Sequence, residues 1–298
     1  MNVALTGGTG FVGRALTAEL VRRGHRVRRL VRHPRVGTAP AGVEEVVADL
    51  ADAPALAPLL RGRDAVIHLV GIISECGAQT FESVHAGLTR AVLDAAGAAG
   101  VPRWIHMSAL GARPDAASRY HRSKWAAEES VRASGLAWTI LRPSLIYGPE
   151  DLFTNLLARL ALLPVVPVMG SGQGLLQPIA VGQVARAFVG ALEDPACAGR
   201  VYDLAGPERL TFNQVLDAIL NAQGCRRLKL HLPMPLARAQ ASVLETVFPA
   251  LLRRPPPLNR DQLLMLQEDN IGDPGPADRD FTLAHEPFAA AMRRQFTA

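Results

Sequence analysis

The sequence predicts an α/β protein, a doubly wound parallel sheet followed by a small, mostly helical C-terminal lobe. Three observations predict it. Short apolar runs alternate with helical stretches through the first two-thirds of the 298 residues. A glycine-rich turn joins the first apolar run to the first helical stretch. After Gly148 the texture changes to prolines and short helical patterns. Residues 1–148 are therefore expected to form the sheet domain, with a strand at 200–206 returning to it, and 149–298 mainly the C-terminal lobe.

In chain order, strands are expected at residues 3–5, 26–31, 44–47, 65–70, 104–107 and 137–141. Each is a short apolar run of the kind that a parallel sheet buries on both faces. Helices are expected at 12–23, 81–99 and 120–134, and Gly24, Gly100 and Gly135 stand where helix C-caps belong. Further on, Thr211 with Gln214 and Asn259 with Gln262 have the spacing of capping boxes. Residues 235–252, "PLARAQASVLETVFPALL", read as an amphipathic helix, which packs on the core or touches a membrane or partner. Core packing is the preferred reading. The prolines of "RRPPPLN" make a stiff connector.

Composition narrows the class. Hydrophobic content of 49% with 20% charged residues fits a globular chain and not a disordered one. The net charge of +5 permits an anionic ligand. Nucleic acid is not expected, because aromatics are 5% of the chain and are not interleaved with the arginines. Cys76, Cys197 and Cys225 are too sparse for a disulfide framework and suit a reducing compartment. No spacing suits a metal. The apolar stretch "LLARLALLPVVPVMG" is short and interrupted by Arg159, Pro164 and Pro167, so no transmembrane segment is expected. The start lacks the basic region of a signal peptide. A cytoplasmic location follows, peripheral at most to the inner face of a membrane.

The turn "TGGTGFVG" places Gly7, Gly10 and Gly13 between a strand and a helix that Phe11 and Val12 open. Glycines there permit a tight turn and close approach of a pyrophosphate to the helix N-terminus, the Rossmann-type dinucleotide site. An NAD-specific site carries an acid at the end of the second strand. Here no acid occurs between Glu19 and Glu44, and Arg32 occupies the strand end. A guanidinium there pairs with a 2′-phosphate, so NADP(H) is preferred, with NAD(H) as the second option. Arg29 and Arg35 are either helpers or a solvated basic face. Asp49, next to Leu50 after the third strand, either receives the adenine amino group or caps the next helix. Val70 and Gly71, after the fourth strand, are placed beside the cofactor's ribose. His68 and His106 line the cofactor side or pack.

Tyr120 and Lys124 in "YHRSK" are four apart and share a helix face, which continues to Glu128 and Val131. A phenol titrates near ~10 and must fall by roughly 3 units, or ~4 kcal/mol, to exchange protons at neutrality. A neighbouring ammonium in a partly dehydrated cleft supplies energy of that order. The pair thus suits a proton relay for carbonyl–alcohol interconversion. Asp151 and Phe153 either edge a substrate cleft or cap a loop.

With "TGGTGFVG", "YHRSK" and "LRPSLIYGP", the chain resembles the short-chain dehydrogenase/reductase superfamily in its extended, epimerase-like branch. The stretches "IHMSALGA", "RPSLIYGPED", "QPIAVGQVA" and "LNRDQLLMLQEDN" are similar to the atypical subgroup around the nucleotide-binding accessory subunit of respiratory complex I. This resemblance implies that Tyr120 is the acid/base and that Lys124 holds the nicotinamide ribose and lowers the tyrosine's pKa. It also implies that Ser108 bonds the substrate oxygen and that Pro143 borders the cofactor. Ser108 is otherwise a plain strand-end serine, and His85, where relatives carry an asparagine, reads as a packed or capping histidine. The resemblance implies an NADP(H) oxidoreductase acting on a small-molecule carbonyl or alcohol. The alternative is a non-catalytic NADPH-binding protein associated with a respiratory or quinone-biosynthetic complex. A sugar-nucleotide epimerase or dehydratase is the weaker option.

Overall fold

The computed structural model describes residues 1–33, 39–252 and 254–297. Arg35 and Arg253 lie outside the described residues. The chain alternates β1 (Asn2–Thr6), α1 (Phe11–Arg22), β2 (Arg26–Val31), β3 (Val43–Val47), α2 (Ala53–Leu60), β4 (Ala65–His68), α3 (Leu88–Ala98), β5 (Arg103–Met107), α4 (Arg119–Arg132) and β6 (Ala137–Pro143). A π-helical turn, Glu82–Gly87, precedes α3. The helix expected at 81–99 is thus of two kinds, and the strand expected at 65–70 ends at His68.

The second half holds β7 (Ile146–Tyr147), α5 (Leu152–Leu160), β8 (Val165–Met169), β9 (Leu175–Leu176), β10 (Ile179–Ala180) and α6 (Val181–Glu193). It continues through β11 (Arg200–Leu204), β12 (Leu210–Thr211), α7 (Phe212–Ala222), β13 (Leu228–Leu232), α8 (Met234–Val247), α9 (Arg260–Met265), α10 (Gly275–Phe281) and α11 (Phe288–Phe296). Both expected capping boxes form, at the starts of α7 and α9.

Seven parallel strands make the main sheet in the order β3-β2-β1-β4-β5-β6-β11. The chain runs outward from β1 to β3, then returns to set β4 beside β1. That reversal creates a crevice at the carboxyl ends of β1 and β4. β11 is the strand expected to return from the second half.

Apolar residues cover both faces of the sheet, as parallel strands require. On one face Leu5, Ile67 and Ile105 pack with Leu16 and Leu20 of α1 and Phe188 of α6. On the other, Ala4, Val66, Trp104 and Ile140 pack with Leu56 of α2, Val92 of α3 and Val131 of α4. Burying each large aliphatic side chain contributes ~1.5–3 kcal/mol, so this double core holds the strand ends rigidly in place. A third cluster joins α5, α7 and α11 around Leu157, Val166, Leu216 and Met292.

The segment 235–252 departs from the expected core packing. Only Ala237 and Ala241 of α8 are buried, and Leu236, Val243 and Val247 remain exposed. Its wide apolar face exceeds what the small seam of α9, Met169 and Leu258 can cover.

Candidate functional site

Parallel topology places the expected site residues along one edge of the sheet. Gly7 follows β1, Arg32 follows β2, Asp49 and Leu50 follow β3, Val70 and Gly71 follow β4, Ser108 follows β5, and Pro143 ends β6.

The glycine turn is packed too tightly for side chains. Gly7 has φ +73°, and a methyl there would stand 3.1 Å from Leu69 C. A methyl on Gly13 would collide with Gly7 O and stand 2.6 Å from Gly8 Cα. Gly10 is the N-cap of α1, and no side chain caps that helix. The first-turn amides and the positive dipole end of α1 are therefore available to an anion. This cradle fits a dinucleotide pyrophosphate. Phe11 lays its ring against Gly148, and Val12 packs on the core.

The adenosine end is less uniform. Arg32 is exposed beyond β2 and forms no ion pair with a described residue. Arg29 is not a free helper. It is 5% exposed and pairs with Glu45 at 2.5 Å. Its stem lies under the turn, where a methyl on Gly8 would stand 2.8 Å from Arg29 Cδ. Arg29 lies inside β2, where both faces of the sheet are covered, so its side chain is buried. Asp49 accepts from Ala51 N at 2.9 Å, while Asp52, not Asp49, caps α2. Leu50 turns its side chain into the core.

Helix α4 carries Tyr120, Lys124 and Glu128 on one face. The helix forms there because Ser118 caps it. Lys124 is 2% exposed and donates to Met107 O at 3.2 Å. A methyl on Gly71 would stand 3.0 Å from Lys124 Nζ and 3.4 Å from His85 Nε2. The lysine and the turn after β4 are thus in contact.

Burial pushes the Lys124 ammonium down to about 8, with Glu128 opposing the shift. Burial likewise pushes the Tyr120 phenol up to about 12. This corrects the expectation that Lys124 lowers the tyrosine. The ring lies edge-on to Phe81, His85 and His121. Among the described residues no side chain bonds its hydroxyl, so desolvation dominates.

Ser108 is buried, and its hydroxyl donates to Glu128 Oε1 at 2.5 Å. Glu128 is itself fully buried and held by Arg142 at 2.6 Å and Arg132 at 2.7 Å. Ser108 thus joins an ionic cluster and makes no hydrogen bond to Tyr120.

His85 was expected to pack or cap, and it does more. Its Nε2 accepts from Ile72 N at 3.0 Å, and its Nδ1 faces Ser123 Oγ at 2.8 Å. Burial, then the Lys124 charge, holds it neutral, with a pKa of about 2. The π-helical turn carries it into this position, as such turns often do at functional sites. His68 and His106 are buried and stack with Trp104. Asp151 caps α5, accepting from Thr154 N at 2.6 Å.

Sequence reasoning missed the strap around this site. Asn259 donates to Ser74 Oγ at 2.9 Å, beside the turn after β4. Asp261 accepts from Arg119 N at 2.8 Å and Tyr120 N at 2.7 Å. Asn270 Oδ1 accepts from Ser144 Oγ at 2.5 Å. The only sequence signal was the late stretch "LNRDQLLMLQEDN". A cavity of about 210 Å³ lies elsewhere, lined by Tyr147, Gln183, His285 and Arg294.

An open glycine turn at the switch point of a parallel sheet defines a nucleotide-binding protein. Residues 7–160 match a family described as NAD(P)H-binding, and the chain belongs to that family. It is 35% identical to a ceramide reductase of Caulobacter vibrioides over 78% of this chain and 74% of that protein. It is 30% identical to a 2-alkyl-3-oxoalkanoate reductase of Stenotrophomonas maltophilia over 94% of each chain. It is 31% identical to the mitochondrial NADH dehydrogenase [ubiquinone] 1 alpha subcomplex subunit 9 of Arabidopsis thaliana, over 89% of this chain and 69% of that one. In structure it matches a UDP-glucuronic acid 4-epimerase of Bacillus cereus with TM-score 0.74, covering 100% of this chain and 98% of the other. At 17% identity that match concerns the fold. Family and relatives make this an NAD(P)-binding, oxidoreductase-like protein. No described helix is long and apolar enough to cross a membrane.

Proposed function

We propose that this protein is an NADP(H)-dependent reductase of a carbonyl substrate. One observation carries the reading. Tyr120 and Lys124 share a face of α4, and Lys124 Nζ reaches Met107 O and the Gly71 turn beside the glycine cradle. Bound NADPH supplies the hydride. Gly7, Gly10 and Gly13 hold its pyrophosphate, Arg32 its 2′-phosphate, and Lys124 its nicotinamide ribose. Tyr120, kept protonated by a pKa of about 12, donates its proton to the alkoxide oxygen. An alkoxide is far more basic than a phenolate, so the transfer runs downhill. The raised pKa favours reduction over oxidation, which needs the phenolate.

The relatives support a ketone, since one is named as a reductase of 2-alkyl-3-oxoalkanoates. The test offers NADPH with 3-oxoalkanoates, simple ketones, enones and quinones, and follows nicotinamide absorbance. Turnover should occur, and Tyr120→Phe should lower it about 10²–10⁴-fold. Turnover untouched by Tyr120→Phe would remove the assignment.

A second reading has its own observation. The Ser108 hydroxyl is committed to Glu128 and is not open to a substrate oxygen. This favours a non-catalytic NADPH-binding accessory of a respiratory or quinone-biosynthetic complex, peripheral to a membrane, as does the likeness to the complex I subunit. Tight NADPH binding without turnover of any of these substrates would select it. A sugar-nucleotide epimerase is disfavoured by Arg32, which stands where NAD binding calls for an acid.

A further inference from the structure

The C-terminal lobe bears an apolar surface that the nucleotide site does not use. Strands β8 and β13 pair in parallel, with Val165 opposite Leu228, Pro167 opposite Leu230, and Met169 opposite Leu232. Alternation puts these six residues on one face of the pair. The other face, with Val166 and Val168, is buried against the lobe's core. Helix α8 covers the outer face only at Met169, through Ala237 and Ala241. Toward the strand starts the face is open, with Leu228 74% and Leu230 54% exposed. Beside its buried seam, α8 leaves Leu236, Val243 and Val247 exposed, and Leu251 follows at 76% exposed. Residues three to four apart fall on one stripe of a helix. Exposed leucines and valines grouped on neighbouring elements, rather than scattered singly, point to an interaction site.

Charge identifies the occupant. Residues 152–192 and 218–244 contain no Asp or Glu, and the acids that flank the second stretch, Asp217 of α7 and Glu245 of α8, are paired with Lys229 and Arg260. The two stretches carry Arg159, Arg226 and Arg238, all exposed. Among the described residues none of these three has a carboxylate partner. Leucines ringed by arginines match a bilayer surface with anionic headgroups. A symmetric contact with a second copy would set arginine against arginine. The surface also lacks the exposed Trp and Tyr anchors common in protein interfaces.

We infer that this face, built by β8, β13 and α8, docks the protein on an anionic lipid membrane. α8 packs on α9, whose Asp261 holds the backbone of Tyr120. The inference goes beyond the reductase and accessory readings and requires neither, because docking is read without turnover.

The test floats the full-length protein with vesicles of phosphatidylcholine alone or mixed with phosphatidylglycerol. The protein should rise with the mixed vesicles, less with phosphatidylcholine alone, and less as salt increases. The pair Leu228→Asp, Leu230→Asp should cut partitioning at least ~tenfold, with melting temperature and NADPH affinity retained. The pair Arg226→Glu, Arg238→Glu should abolish the preference for phosphatidylglycerol. Failure to float with mixed vesicles would overturn the inference. So would unchanged flotation of the aspartate pair, or a wild-type dimer that this pair converts to a monomer by light scattering.

Discussion

The Asp261 carboxylate accepts the backbone N–H of Tyr120 at 2.7 Å across 141 residues of sequence. Its other oxygen takes the N–H of Arg119 at 2.8 Å. Ser118 caps the same turn with its Oγ, which accepts from His121 N, while its carbonyl takes the first regular helical bond from Arg122 N. Three of the four orphan donors at the start of α4, the N–H groups of Arg119, Tyr120 and His121, are thus satisfied by side chains. The start of α1 is the opposite case, since no side chain caps it. The anion site therefore falls at α1, while the start of α4 serves to fix Tyr120.

Asp261→Ala leaves two first-turn amides without their acceptor and removes a negative charge from the positive end of the helix. The expected loss is about 1–2 kcal/mol, read from urea titration. Asp261→Asn keeps one acceptor oxygen and should lose about half as much. No loss in either variant would mean that the strap does not hold α4.

The glycine turn separates stability from binding. Gly13→Ala forces a methyl into the backbone of Gly7 and Gly8 and should cost about 3 kcal/mol of stability. A methyl on Gly10 meets only Gly7 O, at 3.4 Å. Gly10→Ala should therefore change stability by ~1 kcal/mol or less. It should still weaken NADPH at least ~tenfold by filling space over the α1 amides. Calorimetric titration beside thermal melts checks both. Equal NADPH affinity in Gly10→Ala and wild type would move the pyrophosphate elsewhere.

Much of this was legible in sequence because it is local. Strand–helix alternation, the glycine turn and both capping boxes depend on residues a few positions apart. The Tyr120–Lys124 face follows from helix geometry alone. What was not legible is long-range. Nothing near Asp261 says that it meets Tyr120, and nothing near Ser108 says that its hydroxyl goes to Glu128. The direction of the tyrosine's pKa is not legible either, because the rings of Phe81, His85 and His121 that desolvate it come from other parts of the chain or from the helix turn around it. Arg29 and Arg32 look alike in sequence, but Arg29 lies inside β2 of a sheet covered on both faces, while Arg32 lies beyond the strand's end and is exposed. The outward apolar residues of α8, Leu236, Val243 and Val247, depart from the expected core packing because amphipathicity reveals an apolar face without saying what covers it.

Arg32→Ala tests the cofactor preference. A charge-assisted bond to the 2′-phosphate is worth ~1.5–3 kcal/mol, so NADPH affinity should fall ~10–100-fold. NADH has no such phosphate, and its affinity should change by less than ~twofold. Equal losses in parallel titrations would leave Arg32 as a surface residue and remove the ground for preferring NADP(H).

Lys124 makes stability depend on pH. Its folded pKa of about 8 lies below the ordinary value of 10.5, and burial is the main cause. Between those values the unfolded chain binds the proton and the folded chain does not, so stability rises with pH across this window. Below about 8 both states are charged, and the folded protein bears the full cost of the buried ammonium. Lys124→Met removes that cost and should stabilise the protein at pH 7 by about 1–3 kcal/mol. The gain should shrink as pH rises from 8 toward 10.5. Urea titrations of both proteins at several pH values give the difference directly. A gain independent of pH would mean that the buried lysine is already neutral at pH 7, and a loss would mean that its bond to Met107 O outweighs desolvation.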